Sequence, residues 1–581
     1  MSAQTKTKNG LLSNAFASSR WNSRITSANT TKKEMWLGYV LGVWGMMMTN
    51  SIVNSYFNQY LTDVLGFTAV KGVWIVGFMV AFPVISKLLD AVTNLIMSHI
   101  IDSTTCRQGK VRPWLLVSAP VVAICMVLLF WMPFQDVKLQ AVWIVVMFNL
   151  YYSVAYTMWN MSKELLPAVS TRNVVQRRSL AMASTIVGNV GTGIVSIMFP
   201  AILAAVCAAV HGDNAKGYLV SMTIFGILGM LLTFVQYFYT RERVTEERRN
   251  QNVAGADTAV LHKDVSLLEQ AKVCLTNKYW LAFVLVMFFV NILSNMRNIS
   301  LIYYSGWVYH GNAYGEVAAL QAKFQMIALS PMGPGILLLL PLVKKWGRTQ
   351  AIWVGGTICA VGSLIAYLAP GNGTVILIGT ALGAIGSLFF NYTMASFMGD
   401  VIDQIEWKTK VRCDGLTGGC TSAGMMFAVG IAQGIFNLGL MLTGYLQPEK
   451  VGISEAGIAL FADQPASATA WINFAYQGTI IIQGLIIFFV FKWLFDLEKH
   501  LPQISRELQE RKVAECAALG MEYIPADELE RREIAQAEAE AEEIRIRELK
   551  EKCARKGLDF DRENQKVLEK RAKKAAKKRK K

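Results

Sequence analysis

Long runs of apolar residues alternate with short polar segments along most of this 581-residue chain. A helix rises about 1.5 Å per residue, so a run of about 20 apolar residues spans the hydrocarbon core of a bilayer. Twelve runs are long enough, and we number them span 1 to span 12. In chain order they cover about 35–62, 72–101, 113–133, 139–168, 178–208, 217–239, 279–308, 317–343, 350–369, 374–401, 415–446 and 470–495. The pattern therefore predicts an all-α membrane protein with twelve transmembrane helices.

Composition agrees with this prediction and argues against an enzyme. Hydrophobic residues make up 53% of the chain, with 26 Met and 15 Trp, which is far above the usage of soluble domains. The sequence has no phosphate-binding Walker loop, no His-Glu-x-x-His metal motif and no Gly-x-Ser-x-Gly nucleophile motif. We expect no enzymatic activity and no cofactor or bound metal.

The loops between the spans differ in charge, and this difference predicts the orientation. Lys and Arg concentrate in alternate loops, at 107–112, 172–178, 241–278, 344–348 and 408–412, whereas the other loops carry single residues such as Lys138 and Lys216. Because loops on the cytoplasmic side are enriched in Lys and Arg, both termini are predicted to be cytoplasmic, in a multi-pass protein of the plasma membrane.

The spans fall into two halves that repeat one loop signal. A Gly-basic segment follows span 2 at Gly109 and Lys110, and another follows span 8 at Gly347 and Arg348. Two parallel six-helix bundles that rock about a central site are the major facilitator architecture. The predicted parts are a basic arm (1–34), an N-terminal bundle (35–240), a connector (241–278), a C-terminal bundle (279–496) and a charged helical tail (497–581).

The end of the tail is strongly basic. Residues 570–581 contain nine Lys or Arg in twelve positions. Each basic residue near an anionic bilayer surface contributes about 1 kcal/mol, so we expect this segment to bind anionic lipids of the inner leaflet. Nucleic acid is the weaker alternative, and we do not expect it as a partner.

Span 2 contains a carboxylate, Asp90, in the middle of an apolar run. A charged residue at this depth costs about 2.5 to 3.5 kcal/mol on insertion scales, so it is usually retained for a role in a transport pathway. Lys87 and Asn94 lie on the same helical face at i−3 and i+4 from Asp90. A Lys87–Asp90 pair that only neutralises itself and holds two helices together remains open as an alternative.

Several strings of residues resemble the glycoside-pentoside-hexuronide:cation symporter family across about residues 35–495. They are Tyr60-Leu-Thr-Asp63-Val-Leu-Gly66, the Asp90 segment through Trp114, Tyr239-Thr-Arg-Glu242-Arg-Val, Leu268-Glu-Gln-Ala-Lys272 with Asn277-Lys-Tyr-Trp280, and Gly399-Asp400-Val-Ile-Asp403 continuing to Gly415. The resemblance implies a secondary active transporter that imports a sugar, glycoside or uronide by cation symport with alternating access.

The resemblance also implies a cation site between spans 2 and 4. By position, the two acidic residues of span 2 correspond to Asp90 and Asn94, and the acidic residue of span 4 corresponds to Asn160, with hydroxyls from Thr93 and Thr157. The chain departs from the family here, because two of the three carboxylates are amides. Sodium needs several hard oxygens and anionic charge, whereas a proton needs one carboxylate. We therefore favour a proton over sodium slightly, and loss of coupling stays open.

Three further charged residues of the family are missing as well, and one of them, the Arg of span 5, is its substrate anchor. Its acid of span 1 corresponds to Met47, its Arg of span 5 lies near Thr185, and its Lys of span 11 corresponds to Met426. Amides and aromatic rings suit a polyol or glycoside, although any of these residues also serves for packing between helices. The substrate-binding candidates are Asn50, Asn54, Tyr152, Tyr156, Trp159, Asn295, Arg297, Asn391 and Tyr392.

Charged residues at the inner end of span 10 predict a cytoplasmic gate. They are Asp400, Asp403, Glu406, Lys408 and Arg412. Ion pairs between the halves would favour one of two states of the carrier. Two other functions remain open: a carrier of a non-sugar amphipath such as a lipid or drug, and a transporter-like membrane sensor that signals through the tail.

Overall fold

The computed structural model describes residues 18–70, 72–104, 106–171, 173–245, 267–309, 317–329, 341–343, 345–410, 413–453, 459–518 and 526–579. We label the helices at the predicted spans α1 to α12. The first six are α1 (Glu34–Leu41, Gly42–Gln59 and Tyr60–Val64), α2 (Val73–Ser103), α3 (Arg112–Phe130), α4 (Val137–Asn149, Leu150–Tyr156 and Thr157–Ser170), α5 (Val174–Ala209) and α6 (Asn214–Phe238).

The second group follows a short helix at Leu267–Leu275. Its members are α7 (Lys278–Tyr304 and Ser305–Tyr309), α8 (Val317–Leu329), α9 (Arg348–Leu368), α10 (Gly373–Thr409), α11 (Asp414–Leu442) and α12 (Ala466–Asn473, Phe474–Gly478, Thr479–Phe489 and Val490–Leu494). Three tail helices come last: α13 (Leu501–Ala518), α14 (Ala526–Lys556) and α15 (Phe560–Arg579).

Ten helices in the described part of the chain are long and apolar enough to cross a membrane. Of the helices α1 to α12, the two outside this group are α1 and α8. Helix α1 carries amides at Asn54, Asn58 and Gln59, and these are tolerated because each hydrogen-bonds another helix. The second half of predicted span 8 lies largely outside the described residues. The fold is an all-α membrane fold, and the count of twelve spans stays a prediction.

Short polar residues start several of these helices. Asn173, Asp213, Asn277 and Asn372 each accept a hydrogen bond from a backbone N–H in the first turn of α5, α6, α7 and α10. Such N-caps satisfy donors that a helix start would otherwise leave unpaired. The loops that join the spans therefore also define where each span begins.

Two helix pairs join the halves of the molecule. Helix α2 packs along α11, and α5 packs along α8. Glycines bring α2 and α11 close: a Cβ added at Gly430 would lie 2.7 Å from the carbonyl oxygen of Pro83, and one at Gly434 would lie 2.8 Å from that of Val80. Small residues allow this approach without a hydrophobic driving force in lipid.

Hydrogen bonds between the halves gather at one end of the bundle. We call this end the opposite face, because α1 ends there, and we call the end where α1 begins the tail face. Asn58 donates to the hydroxyl of Tyr303 at 3.0 Å, and the Tyr445 hydroxyl donates to Asp63 at 2.9 Å. Gln447 donates to the backbone carbonyl of Asp63 at 2.9 Å. These contacts close the opposite face with neutral donors around one carboxylate.

A small hairpin interrupts the otherwise helical chain. Strands β1 (Lys450–Ile453) and β2 (Ala459–Phe461) pair antiparallel in the loop between α11 and α12. The sequence analysis predicted no strand there. The short alternating segment Lys450–Ile453 is too brief for the hydrophobic pattern to separate strand from loop.

The tail contacts both halves at the tail face. Helix α13 packs on the end of α10, where Trp407 donates to Glu507 at 2.6 Å. Helix α14 lies against the N-terminal half, because Asn173 donates to the carbonyl of Ala537 at 2.7 Å and the backbone N–H of Ala28 donates to Glu548 at 2.6 Å. One continuous stretch of chain thus contacts both groups of helices.

Candidate functional site

Asp90 is buried between α2 and α4. Its residue is 7% exposed, so its carboxylate depends on protein donors rather than on water. Lys87, one turn earlier on α2, donates to one carboxylate oxygen at 2.8 Å. The hydroxyl of Ser153 on α4 donates a short hydrogen bond to the other oxygen. We call Asp90, Lys87, Ser153, Tyr152 and Asn54 the coupling cluster.

The ammonium of Lys87 has a second partner besides Asp90. It lies 4.2 Å from the centre of the Tyr152 ring, where a cation is attracted to the aromatic face. The Tyr152 hydroxyl in turn donates to the side-chain oxygen of Asn54 on α1 at 2.7 Å. The cluster therefore links α1, α2 and α4 through charged and polar contacts.

A wide helical turn in α4 presents the residues of this cluster. Leu150–Tyr156 is a π-helical segment within α4, and it contains both Tyr152 and Ser153. Such segments disturb the regular ladder and occur often at functional sites. Thr157 follows the wide turn, and its backbone N–H and its hydroxyl both donate to the carbonyl oxygen of Tyr152, the hydroxyl at 3.0 Å.

The other predicted cation-coupling residues make no hydrogen bond to the carboxylate of Asp90 in the described part of the chain. The Thr93 hydroxyl donates to carbonyls of its own helix, at Leu89 and Asp90. The Asn94 amide reaches the sulfur of Met426 on α11 at 3.8 Å. Asn160 is half-buried on the face of α4 that also carries Ser153 and Thr157, at i, i+4 and i+7.

The contact between Asn94 and Met426 joins two of the departures from the family. In the resemblance, Asn94 replaces an acid and Met426 replaces a lysine. Here the two neutral replacements face each other across α2 and α11. Replacing both partners of a charge pair leaves no uncompensated charge, whereas replacing one would leave a costly buried ion. The resemblance thus implies that an acid and a base are absent together at this contact, which leaves neither charge unpaired.

A cavity of ≈ 540 Å³ lies between α1, α4 and α5 near the tail face. Met47 and Thr185 both line it, and the resemblance puts the family's acid of span 1 at Met47 and its arginine of span 5 near Thr185. Its charged lining consists of Lys163, Glu164, Arg177 and Arg178. Lys163 pairs with Glu164 at 2.6 Å, so the lining carries an excess of positive charge.

A second cavity of ≈ 160 Å³ lies in the C-terminal half. Arg297 on α7 lines it together with residues of α8, α10 and α12, among them Asn391, Tyr476 and Gln483. The guanidinium carbon of Arg297 lies 5.1 Å from the centre of the Tyr476 ring. Ser294 donates to the side-chain oxygen of Gln483 at 3.0 Å, which orients the Gln483 amide.

The remaining substrate-binding candidates lie in different surroundings. Trp159 is fully buried and donates to Gln236 on α6 at 3.0 Å. The Tyr156 hydroxyl contacts the sulfur of Met47 at 3.9 Å, and Asn295 donates to the carbonyl of Asn291 in its own helix. Tyr392 is 37% exposed on α10. The side-chain oxygen of Asn50 is buried without a hydrogen-bond partner among the described residues.

The gate residues lie at the tail face, where α10 ends. Asp400 forms an ion pair with Arg348 at the start of α9, at 2.9 Å. This pair lies within the C-terminal half rather than across the two halves. Asp403 and Glu406 are half-buried, Lys408 is exposed, and Arg412 lies outside the described residues. The closing role of the network stays a prediction.

Acidic side chains cap two equivalent helix starts. Glu242 accepts hydrogen bonds from the backbone N–H groups of Lys110, Val111 and Arg112 at the start of α3. Glu498 accepts from those of Arg348 and Thr349 at the start of α9. A carboxylate at a helix N-terminus satisfies free donors and interacts favourably with the helix dipole. The repeated Gly-basic loops are thus each fixed by an acid from the end of their own half.

Comparison with known proteins assigns the chain to a family. The family described as "MFS/sugar transport protein" matches residues 38–499. The chain belongs to this family. It is a membrane transporter of the major facilitator class related to sugar transporters, and it is not an enzyme.

Relatives from several bacteria support this assignment. The chain is 26% identical over 472 residues to the "Uncharacterized symporter YjmB" of Bacillus subtilis, covering 79% of this chain and 95% of that protein. It is 25% identical to the "Isoprimeverose transporter" of Lactiplantibacillus pentosus, covering 70% and 80%. It is 24% identical to the "Putative sulfoquinovose importer" of Salmonella typhimurium, also covering 70% and 80%.

A solved structure shares the fold. A bacterial homologue of the human lysosomal transporter Spinster, in an inward-facing and unoccupied conformation, superposes with a TM-score of 0.55. The identity is 11%, and the match covers 82% of this chain and 99% of that one. At this identity the likeness concerns the fold only.

The sequence analysis missed Ser153, Gln483 and Tyr476. Ser153 shares the helical face of Thr157 and Asn160, so this spacing would have found it. Gln483 and Tyr476 lie in an apolar span with no charged neighbour, and nothing in their spacing relates them to Arg297 on another helix. Contacts between helices distant in sequence need the packing of the whole bundle.

Proposed function

We propose that the protein is a secondary active transporter that imports a sugar, glycoside or uronide together with a proton by alternating access across the plasma membrane. The observation that carries the proposal is the buried carboxylate of Asp90, held by donors from two helices. In this proposal both termini are cytoplasmic, so the tail face is the inner face and the opposite face is the outer one.

The donors around Asp90 favour a proton over sodium. Both carboxylate oxygens already accept hydrogen bonds, from Lys87 and Ser153. The Thr93 hydroxyl and the Asn94 amide contact other groups, so they supply no converging oxygens. A proton needs no coordination shell, and protonation of Asp90 would release Lys87 from its ion pair. The release would change how α2 is held, which is the kind of local charge change that biases a two-state carrier.

Alternating access follows from the two ends of the bundle. Hydrogen bonds between Asp63, Tyr303 and their partners close the outer face in the described state, while the 540 Å³ cavity lies towards the inner face. For the outward-open state the outer contacts must separate and the inner face must close. In the proposal, Asp400, Asp403, Glu406, Lys408 and Arg412 provide the inner closure.

The substrate path in this proposal lies between the halves. Asn54 and Tyr152 of the coupling cluster, Tyr156 beside the larger cavity and Asn391 in the smaller one supply amides and aromatic rings for a polyol. The relatives named for isoprimeverose and sulfoquinovose support a sugar as the substrate class.

The test compares Asp90→Asn with the unchanged protein in proteoliposomes. The substitution keeps the shape and removes the titratable group, so uptake against a gradient should vanish while downhill exchange persists. Thr93→Ser serves as a control on the same helix. If Asp90→Asn still accumulates substrate when an inward proton gradient is imposed, proton coupling through Asp90 is wrong.

One contact favours a second candidate, a carrier without ion coupling. The Lys87 ammonium occupies the position beside Asp90 at 2.8 Å, so a tethered cation already neutralises the carboxylate. In that case Asp90→Asn and the unchanged protein would exchange sugar equally and neither would concentrate it. Lys87→Gln would leave Asp90 unpaired, and a gain of sodium- or proton-driven accumulation in this variant would establish the second candidate.

The basic end of the tail is proposed to bind anionic lipid of the inner leaflet. The run of Lys and Arg at 570–581 supports this proposal. A chain that ends at residue 569 should show less binding of its tail to vesicles containing phosphatidylserine than the full chain at low salt. Equal binding of both chains would contradict it.

A further inference from the structure

The smaller cavity holds a positive charge with no acidic partner among the described residues. Its guanidinium, that of Arg297, contacts the ring of Tyr476 at 5.1 Å, and no ion pair to it is formed in the described chain. Arg297 lies within α7, about twelve residues from its end at Tyr309. Arginine stays charged under all physiological conditions, so this charge persists within the membrane.

Three other cations of the bundle have acidic partners. Lys87 pairs with Asp90, Lys163 pairs with Glu164, and Arg348 pairs with Asp400, each at 2.9 Å or less. An uncompensated charge inside a membrane protein is costly and is usually retained for function. A bound anion would supply the counter-charge that Arg297 lacks among the described residues.

The lining of this cavity is suited to an anion. Beside Arg297 it contains the amides of Asn298, Gln325, Asn391 and Gln483, and no Asp or Glu among the residues that the structure describes. Ser294 occupies the oxygen of Gln483, so its amide nitrogen remains as a donor towards the cavity. The Tyr476 ring beside the guanidinium leaves the edge N–H groups available, and two of them can hold one carboxylate in a bidentate geometry.

We propose that the substrate is an anionic sugar and that Arg297 binds its acidic group, a carboxylate or a sulfonate, in the smaller cavity. The inference rests on the proposed sugar transport and adds the charge of the sugar. The cavity of ≈ 160 Å³ accommodates the charged end of the sugar. Gln483 and Asn391 donate to the oxygens that Arg297 leaves, and the ring hydroxyls extend towards the space between the halves.

The test uses sugars that differ in one group. Labelled methyl glucuronide and methyl glucoside differ only at C6, where one has a carboxylate and the other a hydroxymethyl group. A 6-sulfonated analogue separates sulfonate from carboxylate. Uptake of each sugar is measured in proteoliposomes with the unchanged protein, Arg297→Gln, Arg297→Lys and Lys323→Gln. Lys323 is an exposed cation on neighbouring α8, so its variant controls for loss of one charge.

We expect the unchanged protein and Lys323→Gln to take up at least one acidic sugar in preference to the glucoside. Arg297→Gln should weaken uptake of the acid at least about 30-fold, because loss of one partner leaves the other charge buried and unpaired. Arg297→Lys should be intermediate, since a point charge lacks the bidentate fork. Competition binding to the unchanged protein in detergent gives the same ranking without any variant.

Three results separate the failures. Uptake of the neutral glucoside with rejection of both acids would overturn the anionic-substrate inference and leave the proposed sugar transport intact. Uptake of an acidic sugar that is equal in Arg297→Gln and in the unchanged protein would overturn the role of Arg297. If no sugar of either kind is bound or transported, the proposed function itself is wrong, and the inference falls with it.

Discussion

At the scale of single residues, two glycines show how acidic caps fix the loops of each half. Gly109 has φ 112° and Gly347 has φ 82°, values that favour glycine. A Cβ at Gly109 would overlap the carboxylate of Glu242, and one at Gly347 would lie 3.3 Å from Glu498. Each loop therefore needs glycine for two reasons: its φ is positive, and the capping carboxylate occupies the space where a Cβ would lie.

The first prediction compares Gly109→Ala with Gly212→Ala. Both positions have a positive φ, so both variants incur backbone strain of about 1 to 3 kcal/mol. A Cβ at Gly212 meets nothing within 4 Å, whereas one at Gly109 displaces Glu242 from three backbone donors. Gly109→Ala should thus show the lower apparent melting temperature in detergent. Equal melting temperatures would mean that the Glu242 contact adds nothing to stability.

The coupling cluster shows what residue patterns predict about a site. Asp90 was predicted because a carboxylate in an apolar run is rare, and its spacing to Lys87 predicted their contact on one helical face. The convergence of Thr93, Asn94, Thr157 and Asn160 on an ion came only from resemblance. The side chains of Thr93, Asn94 and Thr157 hydrogen-bond other groups. Rotamer and the wide turn in α4 decide these contacts, and neither leaves a periodic signal in the sequence.

At the scale of helices, close packing at glycines decides which elements move together. Gly379 of α10 lies where a Cβ would be 2.5 Å from the carbonyl oxygen of Gly362 on α9. Gly362 and Gly379 therefore allow α9 and α10 to approach closely. The glycines of α11 that contact α2 were not predicted, because a single small residue has no partner until the bundle is assembled.

The second prediction concerns the α2–α11 contact between the halves. Gly430→Ala would bring a Cβ to 2.7 Å from the carbonyl of Pro83, so α2 must shift away from α11. Overpacking of this kind costs about 1 to 3 kcal/mol and should disfavour the described state relative to the alternative one. Distances between spin labels on the outer ends of the halves should increase.

Gly419→Ala is the matched control on the same helix, since a Cβ there meets nothing within 4 Å. Its label distances should equal those of the unchanged protein. If both variants give the distances of the unchanged protein, the α2–α11 contact does not determine the balance between the states.

The third prediction concerns the closure of the outer face. The Tyr303 hydroxyl accepts from Asn58 at 3.0 Å and shares a 2.7 Å hydrogen bond with Thr62. Tyr303→Phe keeps the ring and removes both bonds, each of which contributes about 1 kcal/mol. Cysteines introduced beside α1 at the outer end should then react faster with a membrane-impermeant reagent. Tyr309→Phe is a control on the same helix, and an equal rate in all proteins would contradict the prediction.

At the scale of the whole molecule, the tail separates into parts that differ in their contact with the bundle. In α13, Ile504 and Leu508 are buried in the apolar cluster at the end of α10 and α12. Helix α14 contacts the N-terminal arm and the start of α5 mainly through polar groups such as Glu548 and Asn173. The charged, helical character of the tail followed from its sequence, whereas its contacts with both halves did not, because no pattern within the tail identifies its partner surface.

The last prediction uses this difference to distinguish a carrier from a sensor. A chain that ends at Ala518 keeps α13 and its apolar contacts, so it should remain folded and transport at a rate close to that of the full chain. A chain that ends at His500 lacks Ile504 and Leu508 and exposes the apolar surface on which they pack. Burial of two aliphatic side chains stabilises the folded state by about 3 to 6 kcal/mol together. This shorter chain should melt at a lower temperature and lose transport in proportion to the folded fraction.

A sensor that acts through its tail would lose its cellular output in both chains. Complete loss of uptake in the stable chain ending at Ala518 would therefore contradict an independent carrier, and would make α14 part of the transport cycle through its contacts with α5.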